Sequence, residues 1–249
     1  MSTRLKKCIW MTLLLFLSAV VLGGCLYPQE LKMKNQPDDE VQIEEVQNSV
    51  QAYWQDTGVL PIQTTEADTP VFQKYVLDFN RLIPRYLAEP PPNSFEAGGV
   101  YRYVLVDVES DPKVKLIDLR LSRAVQELQL RVNEYVRTKS PHLPVADHLG
   151  NGYFTLDEEK LNLDQPPQVT SPYSGQLLPL IINQEGQVGI DYRLDLNQLL
   201  SSADELEVPE NVDIRHLLVK VSKFVPAYSF PYKLEDDQPV FIESWNTKN

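Results

Sequence analysis

The stretch Ile117-Asp118-Leu119-Arg120 recurs as Ile190-Asp191-Tyr192-Arg193, and this recurrence decides how the chain is divided into units. Each copy closes the second of two predicted strands. Side chains two residues apart on a strand share a face, so the Asp and Arg of each copy are expected to form a local ion pair. Because similar features precede both copies in the same order, we interpret residues 38–121 and 122–194 as one unit used twice.

The shared order includes a short motif, Asp78-x-x-x-Leu82 in the first unit and Asp157-x-x-x-Leu161 in the second. Each motif predicts a helical turn capped by aspartate. A double proline, a turn of small residues and a strand pair follow in both units. The predicted strands are residues 100–109 and 114–121 in the first unit and 178–183 and 188–194 in the second. Loops of unequal length separate the matches, so chance similarity is the alternative to a true duplication.

A long amphipathic helix is predicted at the start of each unit. The first begins among the acidic residues around Asp39, which suit a helix N-terminus, and ends at Gly58. The second has apolar residues at spacings of four and three, which gives one buried face. The residues on that face are Leu121, Val125, Leu128, Val132 and Tyr135.

The C-terminal tail, residues 195–249, is predicted to be rich in β-structure, with strands near 216–225 and 240–243. It contains the densest patch of aromatic residues and prolines, residues 224–232. One interpretation is an extended strand that covers the core. The other is a partner-contact surface formed by Phe224, Tyr228, Phe230 and Tyr232, since Tyr and Phe are enriched in interface cores. With two helix-plus-meander units before it, the whole chain is predicted to be an α+β protein.

The N-terminus has the layout of an export signal, residues 1–24. A basic start is followed by a thirteen-residue apolar run, Ile9 to Val21, too short for a comfortable membrane span. The ending Leu22-x-Gly24-Cys25 resembles the lipobox of bacterial lipoproteins. That resemblance implies cleavage after Gly24 and a diacylglycerol thioether on Cys25, whose two chains would give stable attachment to a membrane. An uncleaved signal anchor with an incidental cysteine is the alternative.

Residues 25–37 then form a polar, lipidated tether. A flexible segment of this length spans on the order of 20 Å. The body is therefore expected at the extracytoplasmic face of the cell membrane, held by lipid without spanning it.

The charge of the mature chain excludes one class of partner. Loss of Arg4, Lys6 and Lys7 with the signal changes the formal net charge from −12 to −15. A body this acidic is repelled by nucleic acid, because phosphate binding depends on Lys and Arg. Cys8 would leave with the signal and Cys25 would be acylated, so no disulfide is expected.

The order of helix, Asp-capped turn, prolines and Tyr-rich strand resembles the soluble part of type II pseudopilins. The likeness covers residues 41–109 best and 123–192 less well. Pseudopilins have a hydrophobic N-terminal helix that builds filaments, whereas this chain has a lipobox and a tether there. The whole chain also looks like a family of lipoproteins from Bacillus-type bacteria, some labelled transporter binding proteins. That label implies solute binding as a hypothesis.

The sequence contains few residues suited to catalysis or metal binding. It has no His-Glu-x-x-His, Gly-x-Ser-x-Gly or P-loop motif. His142 and His148 flank a loop with Asp147 and are interpreted as solvated rather than as metal ligands. The carboxylates that strands could pair for acid–base chemistry are interpreted instead as a solvent-facing row. They are Asp107, Glu109, Asp118 and Asp191.

Together these observations predict a non-enzymatic interaction or scaffold module without cofactor or metal, anchored at the cell envelope. Its expected partners are the membrane, through Cys25, and envelope proteins or wall components. This hypothesis expects a compact body without a deep cleft. The alternative is a solute-binding lipoprotein of an ABC-type transporter, which usually needs two α/β lobes that close on a cleft.

Overall fold

A computed structural model describes residues 38–202 and 212–243 of the 249-residue chain. The signal peptide, Gly24, Cys25 and the tether lie outside these residues. From Asp39 onward the described residues belong to one compact unit. No helix in residues 38–202 or 212–243 is both long and apolar enough to cross a bilayer.

The first half of the described chain, up to Asp118, contains one long helix and one hairpin. Short helical turns lie between them. In chain order the elements are α1 (Asp39–Thr57), α2 (Val71–Lys74), α3 (Phe79–Leu82), a 3-10 turn (Phe95–Ala97), β1 (Tyr101–Val106) and β2 (Lys113–Asp118).

The rest of the described chain has a second long helix, a larger sheet and a small C-terminal hairpin. Its elements are α4 (Leu119–Thr138), β3 (Val145–Gly150), β4 (Tyr153–Leu156), α5 (Glu158–Leu161), β5 (Gln168–Thr170), β6 (Leu177–Asn183), β7 (Val188–Ile190), α6 (Arg193–Ser202), α7 (Arg215–Val221), β8 (Tyr232–Glu235) and β9 (Gln238–Phe241). The α+β prediction is confirmed.

Both long helices form where the apolar spacing predicts them. In α4 the predicted residues Leu121, Val125, Leu128 and Val132 are buried, and Asp118 caps the helix by accepting a hydrogen bond from the Arg120 N–H. In α1 the acidic first turn suits the helix dipole. In two separate clusters of core side chains, α1 packs its apolar face against the β1–β2 hairpin, and α4 packs its apolar face against β5 and the β6–β7 hairpin. We refer to β1–β2 and β6–β7 as the two hairpins.

The sheets are antiparallel throughout the described residues. β1 pairs with β2, β8 pairs with β9, and the larger sheet has the order β3-β4-β6-β5 with β7 on β6. The three short strands β3, β4 and β5 were not predicted. The strand predicted over 216–225 is wrong, because Arg215–Val221 is the helix α7. The tail thus combines this helix with the β8–β9 hairpin.

Matching hydrogen bonds occur in the two halves. The Asp78 N–H donates to the Pro61 carbonyl at 2.8 Å, and the Asp157 N–H donates to the Pro144 carbonyl at 2.8 Å. Each Asp then caps a helical turn, α3 or α5, as the spacing predicts. The pairing at the centre of the two hairpins also corresponds. Val104 lies between Val76 and Lys115 and pairs with both, and Ile181 lies between Thr155 and Gly189 and pairs with both. A duplication would produce this correspondence, and it stays a prediction.

The segment 224–229 runs past both hairpins. Leu116 of β2 makes a parallel bridge with Phe224, and Ile190 of β7 makes one with Ser229. The Leu116 N–H donates to the Lys223 carbonyl at 2.9 Å, and the Ile190 N–H donates to the Tyr228 carbonyl at 2.8 Å. We call residues 224–229 the strap, because it ties equivalent edges of the two hairpins together.

Candidate functional site

A groove lies between α2, the β1–β2 hairpin and α7. Its volume is about 820 Å³, within the range of about 300–1,000 Å³ common for ligand sites. A smaller cavity of about 330 Å³ adjoins it beside α1 and shares four lining residues with it, namely Gln47, Val114, Lys115 and Lys220. The expectation of a body without a cleft does not describe this surface.

One side of the groove carries three lysines and a histidine from β2 and α7. Lys113 and Lys115 are two apart on the strand and therefore share a face. His216 and Lys220 are four apart on the helix and also share a face. All four side chains line the groove. In a chain of formal net charge −12, this local concentration of positive charge is unusual.

Lys115 fastens β2 to the end of α7. Its ammonium donates hydrogen bonds to the carbonyls of Val219 at 2.8 Å and Ser222 at 2.6 Å. These carbonyls lie at the C-terminal end of the helix, where a cation is favoured by the helix dipole. Burial lowers the pKa of Lys115, and the nearby Asp107 carboxylate opposes that shift.

The opposite side of the groove is apolar and comes from α2. Val71 is 55% exposed there, and Phe72 and Tyr75 extend the same surface. The Arg215 guanidinium carbon lies 5.0 Å from the centre of the Phe72 ring, a cation–π contact that fixes the ring. The groove therefore presents an ordered apolar wall facing a cationic wall.

Gln47 of α1 closes the strand edge next to the groove. Its side-chain amide donates to the Pro112 carbonyl at 3.0 Å, and its amide oxygen accepts from the Val114 N–H at 2.8 Å. On the edge of β2 that faces away from β1, Gln47 thus bonds to Pro112 and Val114, and the strap bonds to Leu116.

Comparison with known proteins gives one match. Residues 39–118 match the YphF family N-terminal domain. That range starts with the first residue of α1 and ends with the last residue of β2. No curated protein and no solved structure matches the chain. The pseudopilin and Bacillus-type lipoprotein resemblances stay predictions.

Residues 39–118, the matched range, supply most of the groove. They contribute Gln47, the apolar wall of α2 and the lysines of β2, while α7 lies outside this range and supplies His216 and Lys220. The groove thus joins the matched range to a helix that is far away in sequence. Sequence reasoning missed it, because long-range contacts assemble it: Lys115 of β2 bonds to the end of α7, and Arg215 of α7 packs on Phe72 of α2.

The predicted partner-contact residues are placed mostly in the interior. Phe224, Phe230 and Tyr232 have relative exposures of 6%, 9% and 0%, so their rings are not available as a surface. Tyr228 is half-buried, and its hydroxyl accepts a hydrogen bond from the Gln126 side chain at 3.3 Å. For these residues the contact-surface interpretation is corrected. Phe224 and Tyr228 lie in the strap, Phe230 follows it, and Tyr232 begins β8.

The predicted row of solvent-facing carboxylates is also corrected in part. Asp107 and Glu109 are exposed, but Asp118 and Asp191 are buried. Each buried carboxylate caps the start of a helix and binds the Arg two residues later, with Nη2–Oδ2 distances of 2.6 Å in both copies. These carboxylates are therefore engaged as structural caps.

A third copy of this cap begins α7 and was missed in the sequence. Asp213 accepts from the Arg215 N–H at 3.1 Å and from its Nη2 at 2.6 Å. Val212-Asp213-Ile214-Arg215 has the same apolar-Asp-x-Arg pattern, which was the available signal. The Arg215 guanidinium also donates to the Ser229 carbonyl at 2.8 Å, so this copy fixes α7 to the strap.

The predicted histidine pair is exposed, as expected for solvated groups. His142 and His148 both face solvent, and His148 packs on Phe154 with ring centres 5.0 Å apart. Within residues 38–202 and 212–243, no group of three or more His, Cys, Asp or Glu side chains is placed to hold a metal ion.

Asp195 forms a buried polar cluster behind the second hairpin. Its carboxylate accepts hydrogen bonds from Ser171 at 2.8 Å and Ser174 at 2.5 Å. Burial raises the pKa of Asp195, and the two serine hydrogen bonds partly offset this rise. The nearby Tyr192 hydroxyl is buried without a hydrogen-bond partner among the described residues. The two serine hydrogen bonds engage both oxygens of the carboxylate, so we regard the cluster as structural.

Proposed function

We propose that this protein is a non-enzymatic binding module held at the extracytoplasmic face of the cell membrane by a lipid on Cys25. The observation that carries the binding role is the groove, in which an apolar wall faces Lys113, His216 and Lys220. The anchor rests on the Leu22-x-Gly24-Cys25 ending. Envelope proteins or wall components are the expected partners, and nucleic acid is not.

A binding role is favoured over catalysis by how the candidate acidic groups are used. Two of the four candidate carboxylates, Asp118 and Asp191, have their oxygens engaged by Arg and backbone N–H groups at helix starts, as does Asp213. A general acid or base has to be free to exchange a proton with a substrate. The groups that line the groove are suited instead to holding a ligand by charge and apolar contact.

The test of the anchor is a pair of cysteine variants in intact cells. Cys25→Ser should abolish metabolic labelling with palmitate and release the protein from the membrane fraction. Cys8→Ser is the matched control, because that residue would leave with the signal, and it should label and fractionate as the unmodified protein does. Unchanged labelling of Cys25→Ser would end this proposal.

The second candidate function is a solute-binding lipoprotein of an ABC-type transporter, and the volume of the groove favours it. The described residues lack the pair of α/β lobes usual in that class. A thermal-shift screen with sugars, peptides and metals separates the candidates. A specific small solute at about 100 times its dissociation constant would stabilise the protein by about 2.7 kcal/mol.

A further inference from the structure

We propose that the groove binds an anionic single-chain amphiphile, with a carboxylate beside His216 and Lys220 and an alkyl chain against Val71 and Phe72. This names the ligand class of the candidate site and rests on the proposed binding function. The proposed lipid anchor would keep the protein beside a membrane that supplies such molecules.

The position of the carboxylate follows from which cations already have partners. Lys113 pairs with Asp111 at 2.8 Å, and Lys115 is bonded to the two carbonyls at the end of α7. Lys220 is exposed and has no ion pair within residues 38–202 and 212–243. It is therefore the ammonium that an incoming anion meets first.

His216 supplies the second contact. Its Nδ1 lies 2.6 Å from the Asp213 carbonyl oxygen, which can only accept, so the Nδ1 atom carries the proton. The Nε2 atom is left for a ligand. A carboxylate only accepts hydrogen bonds, so a contact at Nε2 requires a hydrogen atom on that nitrogen as well.

The acidic groups of the groove do not cancel this site. The Asp213 carboxylate accepts hydrogen bonds from three nitrogen atoms of Arg215, namely the backbone N, Nε and Nη2. Asp107 also lines the groove, next to Val106, which pairs with Lys113, and its carboxylate interacts with the Lys115 ammonium. Glu40 and Glu44 line the smaller cavity beside Lys220. On the groove side of α7, the charge without an ion pair among the described residues is the Lys220 ammonium.

The apolar wall and the closed strand edge favour an alkyl chain over a peptide. A peptide brings N–H and C=O groups that need partners when they are buried. On the groove side of β2, the Pro112 carbonyl and Val114 N–H are bonded to Gln47, and Leu116 is bonded to the strap. An added strand cannot pair there, whereas an alkyl chain needs only the surface of Val71 and Phe72.

The experiment is equilibrium dialysis with three ten-carbon probes that share one tail: decanoate, decanol and decyltrimethylammonium. The full chain is purified from cells in a neutral maltoside detergent, and vessels with detergent alone are subtracted. Decanoate should bind, and Lys220→Glu should weaken it by about tenfold or more through loss of a charge-assisted contact. Val71→Ser should weaken it several-fold through loss of apolar area.

Lys139→Glu, a charge reversal on the exposed end of α4, is the matched control and should bind decanoate normally. Equal binding of all three probes, or no binding of decanoate, would overturn the proposal. Preference for an acetylated Leu-Asp-Leu-Asp-Leu peptide over decanoate would also overturn it. Lys220→Gln repeats the test if Lys220→Glu melts at a lower temperature. These results do not depend on Cys25 labelling, so failure of the anchor and failure of the ligand are distinguishable.

Discussion

Gln129 makes with β7 the same pair of hydrogen bonds that Gln47 makes with β2. The Gln129 amide donates to the Gly186 carbonyl at 2.8 Å and accepts from the Val188 N–H at 2.7 Å. Each glutamine lies on the long helix of its half and closes the edge of the hairpin that follows. A side-chain amide can replace a neighbouring strand in this way, because it offers one donor and one acceptor.

The first prediction concerns these two edge contacts. Gln47→Ala and Gln129→Ala should each lower the free energy of unfolding by about 1–3 kcal/mol, since a backbone N–H beside a buried valine loses its partner. Gln51→Ala, at an exposed position of α1, is the control and should change it by under about 0.5 kcal/mol. Urea denaturation measures all three. Equal effects at Gln47 and Gln51 would show that the edge contact contributes nothing.

The sequence could predict the elements whose signals are local. The spacing of apolar residues predicts the long helices α1 and α4. Asp78 and Asp157 predict the short helices α3 and α5, which begin at the next residue. Such signals suffice because a helix is bonded within itself and capped by its own flanking residues.

Features that depend on distant contacts could not be predicted. The apolar run Leu217-Leu218-Val219 suggests a strand, but Asp213 and Lys115 cap both ends of a helix there, and Lys115 is 104 residues away. The strand β3 contains polar side chains such as His148, so its sequence lacks the apolar alternation that predicts a strand. Its pairing with β4 stabilises it instead. The groove and the strap depend on contacts of the same long-range kind.

The second prediction separates two copies of the Asp-x-Arg cap by burial. The Arg215 side chain is 11% exposed, stacks on Phe72 and reaches the strap, whereas Arg120 is 63% exposed. Lysine cannot reproduce the planar, forked contact of arginine. Arg215→Lys should therefore cost about 1–3 kcal/mol of unfolding free energy, and Arg120→Lys under about 1 kcal/mol. Thermal and urea unfolding measure both variants, and a larger loss at Arg120 would contradict the assignment.

The third prediction concerns Gly189, which occupies in β7 the position that Lys115 has in β2. A Cβ atom there would lie 2.6 Å from Cε2 of Phe230 and 2.9 Å from the Tyr228 carbonyl oxygen. Gly189→Ala should lower the free energy of unfolding by about 1–3 kcal/mol, because either the strap or β7 has to move to make room for the methyl group. In a Phe230→Leu background the cost should shrink without vanishing, since the carbonyl contact remains. An equal cost in both backgrounds, measured by a double-mutant cycle, would argue against the ring contact.

The fourth prediction is a pH dependence from the buried Asp195. Because burial raises its pKa in the folded state, the contribution of Asp195 to folding stability should be greatest below the ordinary Asp pKa of about 3.9 and be lost as pH rises through the folded value. A rise of one unit in pKa costs the folded state about 1.4 kcal/mol. Asp195→Asn should remove this slope, and its amide oxygen can still accept one of the two serine hydrogen bonds.

Asp157 gives the matched control with the opposite sign. Its hydrogen bond with the Lys160 side chain lowers its pKa, so the stability it contributes is present at neutral pH and lost as pH falls. Urea unfolding of Asp195→Asn and Asp157→Asn between pH 3 and pH 7 compares the two. Relative to the unmodified protein, Asp195→Asn should gain stability as pH rises and Asp157→Asn should lose it. Parallel curves for Asp195→Asn and the unmodified protein would mean that burial of this carboxyl group does not determine the slope.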